Sequence, residues 1–256
     1  MFKNNNRLSR AIFTAVLSCM SFSTFAAPLK ILEFKKAQLS QSEQKQLCEQ
    51  VKDLCTQQAK WLSLKIPPQD VWLLSEGNIV QFNHSNSGFK LLKQWHIPLV
   101  PDEEIARSGQ YIFPKLFPMD QNRYAIAVID TFSEMYSGGG AGIERASFYE
   151  LKDSGKTHRF IENYPFSFNR MIRACFSEQD YENSKGNCHD EDGLSLDIRP
   201  IKPMLWQFRY RYNLDVSPAS DSGEKSFKGS RNLNIDLNKV PKQPNIPTSW
   251  DYAGME

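Results

Sequence analysis

The sequence contains none of the short motifs that carry common catalytic or nucleotide-binding chemistry. It has no His-Glu-x-x-His zinc helix, no Gly-x-Ser-x-Gly elbow, no Cys-x-x-Cys pair and no phosphate-binding loop. Its 256 residues include four histidines, and none of them stands in a recognised motif. The sequence therefore predicts no catalytic residue, no metal site and no cofactor. A hydrolase that uses two dispersed carboxylates needs no motif, so this class stays open as the alternative.

An excess of charge of one sign is also missing. The chain carries 31 basic and 29 acidic residues, and three of the basic ones precede an apolar run at residues 11–25. This pattern is typical of a secretory signal peptide over residues 1–26. Cleavage near Ala26 leaves 28 basic against 29 acidic residues, which excludes a strongly basic surface for nucleic acid. We expect a periplasmic or secreted protein.

Long apolar runs are absent from the rest of the chain. No segment after residue 27 approaches the eighteen or so apolar residues that a spanning helix needs, so we predict no transmembrane segment in the mature chain. Lipoprotein processing at Cys19 is an alternative to ordinary cleavage, but it would leave residues 22–27 as an apolar extension. The predicted order is the signal peptide, a single β-rich domain at 27–238 and a Pro-rich extended tail at 239–256.

An alternation of apolar and polar side chains at residues 204–216 is the strongest structural signal. Its period of two indicates a long β-strand with one buried face. The apolar positions are Met204, Trp206, Phe208, Tyr210, Tyr212, Leu214 and Val216. Arg209 and Arg211 lie on the opposite face, where cross-strand pairs or solvation would account for them. Alternatively, these arginines belong to a docking face for a partner.

Shorter apolar or alternating runs on both sides of this strand predict further strands and β-meanders. They lie at residues 61–66, 71–74, 79–82, 89–96, 143–151, 157–161, 170–176, 194–198 and 227–237. Residues 124–132 are apolar at nearly every position, as in a strand buried on both faces. Prolines restrict the preceding segment to a helical turn near 102–107 and an edge strand near 111–113. The predicted fold is mainly β, an antiparallel sheet sandwich or incomplete barrel with one N-terminal α-helix.

That helix is predicted from its start signal and its apolar stripe. Ser40 followed by Glu43 forms a capping box, and Leu47 and Val51 fall on one face. The apolar period fails soon afterwards, so the helix should end near residues 52–53.

Four cysteines outside the predicted signal peptide favour two disulfides in an exported protein. If the helix continued through Cys55, Cys48 and Cys55 would lie too far apart to pair, and both would bridge to Cys175 and Cys188. If the helix ends early, the chain can turn back. We therefore prefer the short loops Cys48–Cys55 and Cys175–Cys188, because short loops lose less entropy on closure.

A glycine-rich stretch at residues 137–142 contains Gly138, Gly139 and Gly140. It lacks both the third glycine of a dinucleotide-binding loop and the Gly-Lys-Ser/Thr ending of a phosphate-binding loop. It predicts a hairpin loop. Alternatively, the loop is presented to a partner, because loops on rigid sheets often carry function.

Acidic residues concentrate in one segment that contains a single base, Lys185. They are Glu178, Asp180, Glu182, Asp190, Glu191 and Asp192. An EF-hand is excluded, because Cys188 and Arg199 would occupy the first and last ligand positions. The segment is either a solvated loop tip or a surface that meets a basic partner or a cation.

Taken together, these features predict a non-catalytic exported binding protein. The expected partner is a protein of the cell envelope, such as an envelope-directed enzyme or toxin that an inhibitor or immunity-type protein would restrain. The alternative is a cell-envelope hydrolase.

Overall fold

The computed structural model describes residues 28–65, 70–85, 88–99 and 108–250. The predicted signal peptide, the helical turn near 102–107 and the last six residues of the predicted tail lie outside these ranges. Among the described residues, neither α-helix has the length and apolar character needed to cross a membrane.

The described residues form twelve strands, two α-helices and one short 3-10 helix. The strands are β1 (Leu32–Lys36), β2 (Lys60–Leu64), β3 (Val71–Ser75), β4 (Asn78–Ser85), β5 (Gly88–His96), β6 (Ser108–Pro118), β7 (Tyr124–Tyr136), β8 (Gly139–Leu151), β9 (Thr157–Arg173), β10 (His189–Lys202), β11 (Leu205–Asp215) and β12 (Phe227–Asp236). The helices are α1 (Gln41–Gln50), the 3-10 helix (Lys52–Leu54) and α2 (Glu178–Asn183). The predicted mainly β fold with an N-terminal helix is confirmed.

All twelve strands belong to one open antiparallel sheet. Its order is β12-β11-β10-β9-β8-β7-β6-β1-β2-β3-β4-β5, so β6 and β1 are the one neighbouring pair not consecutive in sequence. The first half of β1 pairs with β6 and the second half with β2. This five-residue strand, which the sequence patterns did not predict, therefore joins two meanders.

A carboxylate on β1 reinforces this junction. Glu33 forms salt bridges with Lys115 of β6, at 3.0 Å, and with Lys65, which follows β2. Hydrogen bonds from Lys65 and then Lys115 lower the pKa of Glu33 to about 2. Glu33 thus connects β1 by exposed ion pairs to β6 on one side and to the end of β2 on the other.

The long strand β11 has the predicted alternation. Trp206, Phe208 and Tyr210 are fully buried, and Tyr212 is nearly so. The indole N–H of Trp206 donates to the carbonyl of Pro118 at 2.7 Å, which fixes β11 against the end of β6. β11 is also the middle strand of the β10–β11–β12 meander, as the flanking runs predict.

Strand β7 is buried on both faces, as predicted, and separates two cores. Ala125, Ala127 and Ile129 pack into the larger core with β11. Ile126 and Val128 point into a second core that β1–β5 share with β6–β8. In the second core the N-terminal meander, strands β1–β5, packs against strands β6–β8.

Tryptophans hold the N-terminal meander in that position. Trp72 and Trp95 stack with ring centroids 6.0 Å apart. The indole N–H of Trp95 also donates to the carbonyl of Lys152 at 2.7 Å, so β5 lies against the β8–β9 connection.

Helix α1 covers the other face of this meander. Ser40 and Glu43 form the predicted capping box, and Leu47 and Val51 pack against β3–β5. The helix ends at Gln50, two residues before the predicted end, and the 3-10 helix then turns the chain so that the Cys48–Cys55 disulfide forms.

Two strand assignments differ from the sequence prediction. β6 is not a short edge strand: it has eleven residues and pairs with both β7 and β1. Its pairing with β7 shifts register between Ile112 and Leu116, which accommodates Pro114. The strands predicted at residues 157–161 and 170–176 are one continuous strand, β9. Register shifts near Asn163 and Pro165 interrupt the alternation of side chains without ending the strand.

Candidate binding surface

The predicted glycine-rich and acidic segments meet at one end of the sheet. Ser137 and Gly138 form the tight turn between β7 and β8, and the backbone N–H of Arg173 donates to the Gly138 carbonyl at 2.6 Å. Across the strands, Gly140 pairs with Met171, which in turn pairs with Glu191. Segments separated by about fifty residues of sequence therefore form one surface.

The glycine-rich stretch is shorter as a loop than predicted, because Gly139 and Gly140 already belong to β8. A Cβ atom on Gly139 would lie 1.9 Å from the carbonyl oxygen of Met171, so strands β8 and β9 can only approach this closely around a glycine. The side chain of Met135 lies over Gly140, with its sulfur 2.6 Å from the position of a Cβ atom. These glycines shape the backbone and leave room for neighbouring side chains.

Three of the six acidic residues bond within the protein. Asp180 caps α2 by accepting from the backbone N–H groups of Phe176 and Ser177, and these bonds lower its pKa. Asp190 accepts from the backbone N–H of Ser217 at 2.7 Å and from the hydroxyl of Ser220 at 2.6 Å. These carboxylates hold local structure together.

Asp192 is the most deeply placed of the six. Its side chain is 3% exposed and forms a two-point salt bridge with Arg170, at 2.9 and 3.1 Å. The hydroxyl of Tyr212 donates to the same carboxylate at 3.0 Å. Asp192 therefore does not contribute an accessible charge to the predicted binding surface.

The other three acids, Glu178, Glu182 and Glu191, are exposed. Within the described part of the chain, none of their carboxylates forms an ion pair. Glu178 and Glu182 stand on α2, and Glu191 stands on the outer face of β10, opposite Met171. They place three exposed carboxylates around this end of the sheet.

Large apolar side chains are also exposed at this end of the sheet. They are Met135, Tyr136, Met171, Ile172, Phe176 and Tyr181, and we call this group the apolar tip. Phe176 is 76% exposed, Met135 74% and Tyr181 61%. The described chain exposes nine large apolar side chains, and six of them belong to this tip.

The apolar tip covers the end of the sheet on both faces. Met135 and Met171 lie in one cross-strand row through Gly140, and Tyr136 and Ile172 lie in the next row through Gly139. Adjacent rows point to opposite faces of a sheet.

The second disulfide gives the tip a rigid support. Cys175 and Cys188 are bonded as predicted, and the buried Ser184 hydroxyl lies 3.3 Å and 3.5 Å from the two sulfur atoms. The guanidinium of Arg173 donates to the Cys175 carbonyl at 2.6 Å and lies 5.5 Å from the ring centre of Phe176. Phe176 is thus held in place although it is exposed.

Arg209 and Arg211 are not part of the apolar tip. Both approach the carboxylate of Asp197 on β10, at 3.7 and 3.9 Å, and Arg199 bonds the same carboxylate at 3.1 Å. Arg211 pairs with Ser195, which is four residues along β10 from Glu191, or about 13 Å. The arginines form a cross-strand cluster on the outer face, separate from the acidic residues of α2.

Two cavities formed by the described residues are each lined by a single carboxylate. The smaller, of about 370 Å³, lies beside the second disulfide and includes Glu178. The larger, of about 750 Å³, lies beneath the C-terminal segment and includes Glu162. Neither brings together the two carboxylates that glycoside hydrolysis uses. Among the described residues, no three His, Cys, Asp or Glu side chains are grouped so as to hold a metal ion.

Comparison of the chain with protein-family models, with curated proteins and with solved structures finds no match. The candidate site therefore rests on its own geometry. Sequence reasoning identified its glycines and glutamates but missed its apolar side chains, because isolated apolar residues at strand ends resemble core residues in sequence.

Proposed function

We propose that this protein is a non-catalytic binding protein of the cell envelope, of the inhibitor or immunity type, and that it docks onto an envelope-directed enzyme or toxin. The observation that carries the proposal is the apolar tip. Contiguous exposed apolar surface on a folded protein is typical of an interaction site.

The composition of the tip matches that of a protein–protein interface. Tyrosine, phenylalanine and methionine are enriched in such interfaces, and a few aromatic anchors usually supply most of the binding energy. Phe176 and Tyr181 are the natural anchors, because they are the aromatic residues most exposed at the tip. Their disulfide-supported positions lower the entropy lost on binding.

The charges around the tip indicate the chemistry of the partner. Glu178, Glu182 and Glu191 would face lysine or arginine side chains around an apolar recess. Such charges mainly raise the association rate and select the partner. The export expected from residues 1–26 supports a partner in the cell envelope.

Affinity capture with matched variants tests the proposal. The purified protein is immobilised, exposed to periplasmic extract and to extract of competing cells, and the retained protein is identified and its Kd measured. Phe176→Ser combined with Tyr181→Ser should weaken binding by about 4 kcal/mol, or roughly 1,000-fold, if each anchor contributes about 2 kcal/mol.

The control removes exposed apolar surface elsewhere. Leu92→Ser and Ile201→Ser alter side chains that are 46% and 52% exposed outside the tip, and they should leave Kd unchanged. Equal losses in both pairs, or no retained protein together with degradation of cell-wall polymers by the purified protein, would refute the proposal.

A further inference from the structure

The larger cavity forms where β9 separates from β10. β9 pairs with β8 along nearly its whole length, but it pairs with β10 only from Ser167 onward. The first half of β9 therefore lies apart from β10, and residues 240–250 pass beside it. A cavity of about 750 Å³ remains between that half of β9 and this C-terminal segment.

The C-terminal segment is anchored at both ends. The Tyr164 hydroxyl donates to the carbonyl of Pro241. Trp250 is buried, stacks on Tyr212 with ring centroids 5.6 Å apart, and covers the backbone at Gly229. We call residues 241–250 the C-terminal arch. Its three prolines restrict the backbone between the anchors, so it forms a defined wall of the cavity.

The polar groups of the cavity favour a negatively charged ligand. The Nε atom of Arg145 is buried and has no hydrogen-bond partner, and within the described chain its guanidinium forms no ion pair. Glu162, the one acid in the lining, is already paired with Arg159 at 2.8 Å. Lys242 of the C-terminal arch adds a second positive charge.

The rest of the lining is mixed. Asn163, Gln243 and Thr248 contribute polar groups. Among the apolar residues, Phe160 and Pro165 come from β9, and Val240, Ile246 and Trp250 come from the C-terminal segment. A volume of this size is ordinary for a small-molecule site, in which apolar walls hold the body of the ligand and a few polar groups orient it.

We infer that this cavity binds a small amphipathic anion, a carboxylate with an apolar body, whose carboxylate pairs with Arg145. Arginine recognises a carboxylate through two parallel hydrogen bonds, and Arg145 lines the cavity without a carboxylate partner among the described residues. This inference does not depend on the proposed function, because the cavity and the apolar tip lie at different places along β9. Phe160 of the cavity and Met171 of the tip are eleven residues apart on that strand.

Decanoate is the probe, and its binding is measured by titration calorimetry and by displacement of an apolar fluorescent sulfonate dye. The unaltered protein should bind decanoate at least about tenfold more tightly than decyltrimethylammonium, which has the same chain length and the opposite charge. Equal affinity for the two, or no binding of decanoate up to about 1 mM, would overturn the inference.

Variants then locate the site. Arg145→Met should weaken decanoate binding about tenfold or more, whereas Arg199→Met, which removes an arginine from the outer face, should not change it. The Phe176→Ser/Tyr181→Ser protein should bind decanoate normally, so failure of the docking proposal is distinguishable from failure of this one. Unchanged binding in a folded Arg145→Met protein would place the ligand elsewhere and refute the assignment.

Discussion

Replacement of Asp192 by asparagine tests whether this acid supports the fold or belongs to the binding surface. The substitution preserves the shape of the side chain but removes the charge that Arg170 and Tyr212 contact. Arg170 then keeps its guanidinium, three-quarters buried, beside a neutral amide. The expected result is a loss of stability with little effect on partner binding by the folded protein.

The expected size follows from the burial of the two partners. Removal of one member of a buried ion pair destabilises a protein by about 3–5 kcal/mol, whereas exposed pairs contribute about 0–1 kcal/mol. Asp192 is 3% exposed and Arg170 is 23% exposed, so solvent screens part of the interaction and the lower end applies. We expect a loss of about 3 kcal/mol, equivalent to a decrease in Tm of roughly 6–12 °C.

Urea unfolding followed by tryptophan fluorescence measures this change. Glu191→Gln is the matched control, because Glu191 is the adjacent residue, is exposed and points to the opposite face; it should change stability by less than about 0.5 kcal/mol. A double-mutant cycle with Arg170→Gln should show coupling of about 2 kcal/mol. A stability change for Asp192→Asn no larger than that of the control would refute the structural role of this carboxylate.

Three further predictions test the support of the tip and of the β1 junction. Gly139→Ala should destabilise the protein by about 2 kcal/mol or more, because its Cβ atom would meet the Met171 carbonyl. Gly138→Ala is the control and should be tolerated, because its Cβ atom would meet nothing closer than 3.9 Å. Urea unfolding compares the two variants. Replacement of both cysteines of the second disulfide by serine should lower the free energy of unfolding by about 3 kcal/mol, as expected for a loop of this length. Glu33→Gln removes a carboxylate whose pKa is lowered to about 2 in the folded protein. The ionised carboxylate stabilises the fold above about pH 4.5, and this stabilisation is lost as the pH falls towards about 2. Thermal unfolding should therefore show the variant less stable than the parent at about pH 7 and equal to it near about pH 2.

The sequence predicted those elements whose pattern is local. The alternation of β11 places Trp206 and Phe208 in the core because only a strand buries every second residue. The Ser40–Glu43 capping box fixes the start of α1, and the end of that helix decides which disulfide Cys48 can form. Each inference depends on residues close together in the chain.

The remaining features depend on distant residues. β1 has two apolar residues, Leu32 and Phe34, too few for a periodic signal, and its place in the sheet is decided by pairing with β6 and β2. The apolar tip combines residues from two hairpins and a short helix, so no window of sequence contains it. The roles of Asp190 and Asp192 could not be predicted for the same reason. Asp190 bonds to Ser217 and Ser220 in the β11–β12 connection, and Asp192 bonds to Arg170 and Tyr212 on neighbouring strands.

The pleat of β10 explains how one acidic run has two roles. Asp190 and Asp192 point to the face where Ser217 and Arg170 bond them, and Glu191 points to the other face, beside Met171. The tip follows the same geometry, because its methionine row and its Tyr136–Ile172 row lie on opposite faces of the sheet. Under the proposed function, a partner that contacts both rows must enclose the end of the sheet, so we expect a protein with a cleft, such as the substrate groove of an enzyme, rather than one with a flat surface.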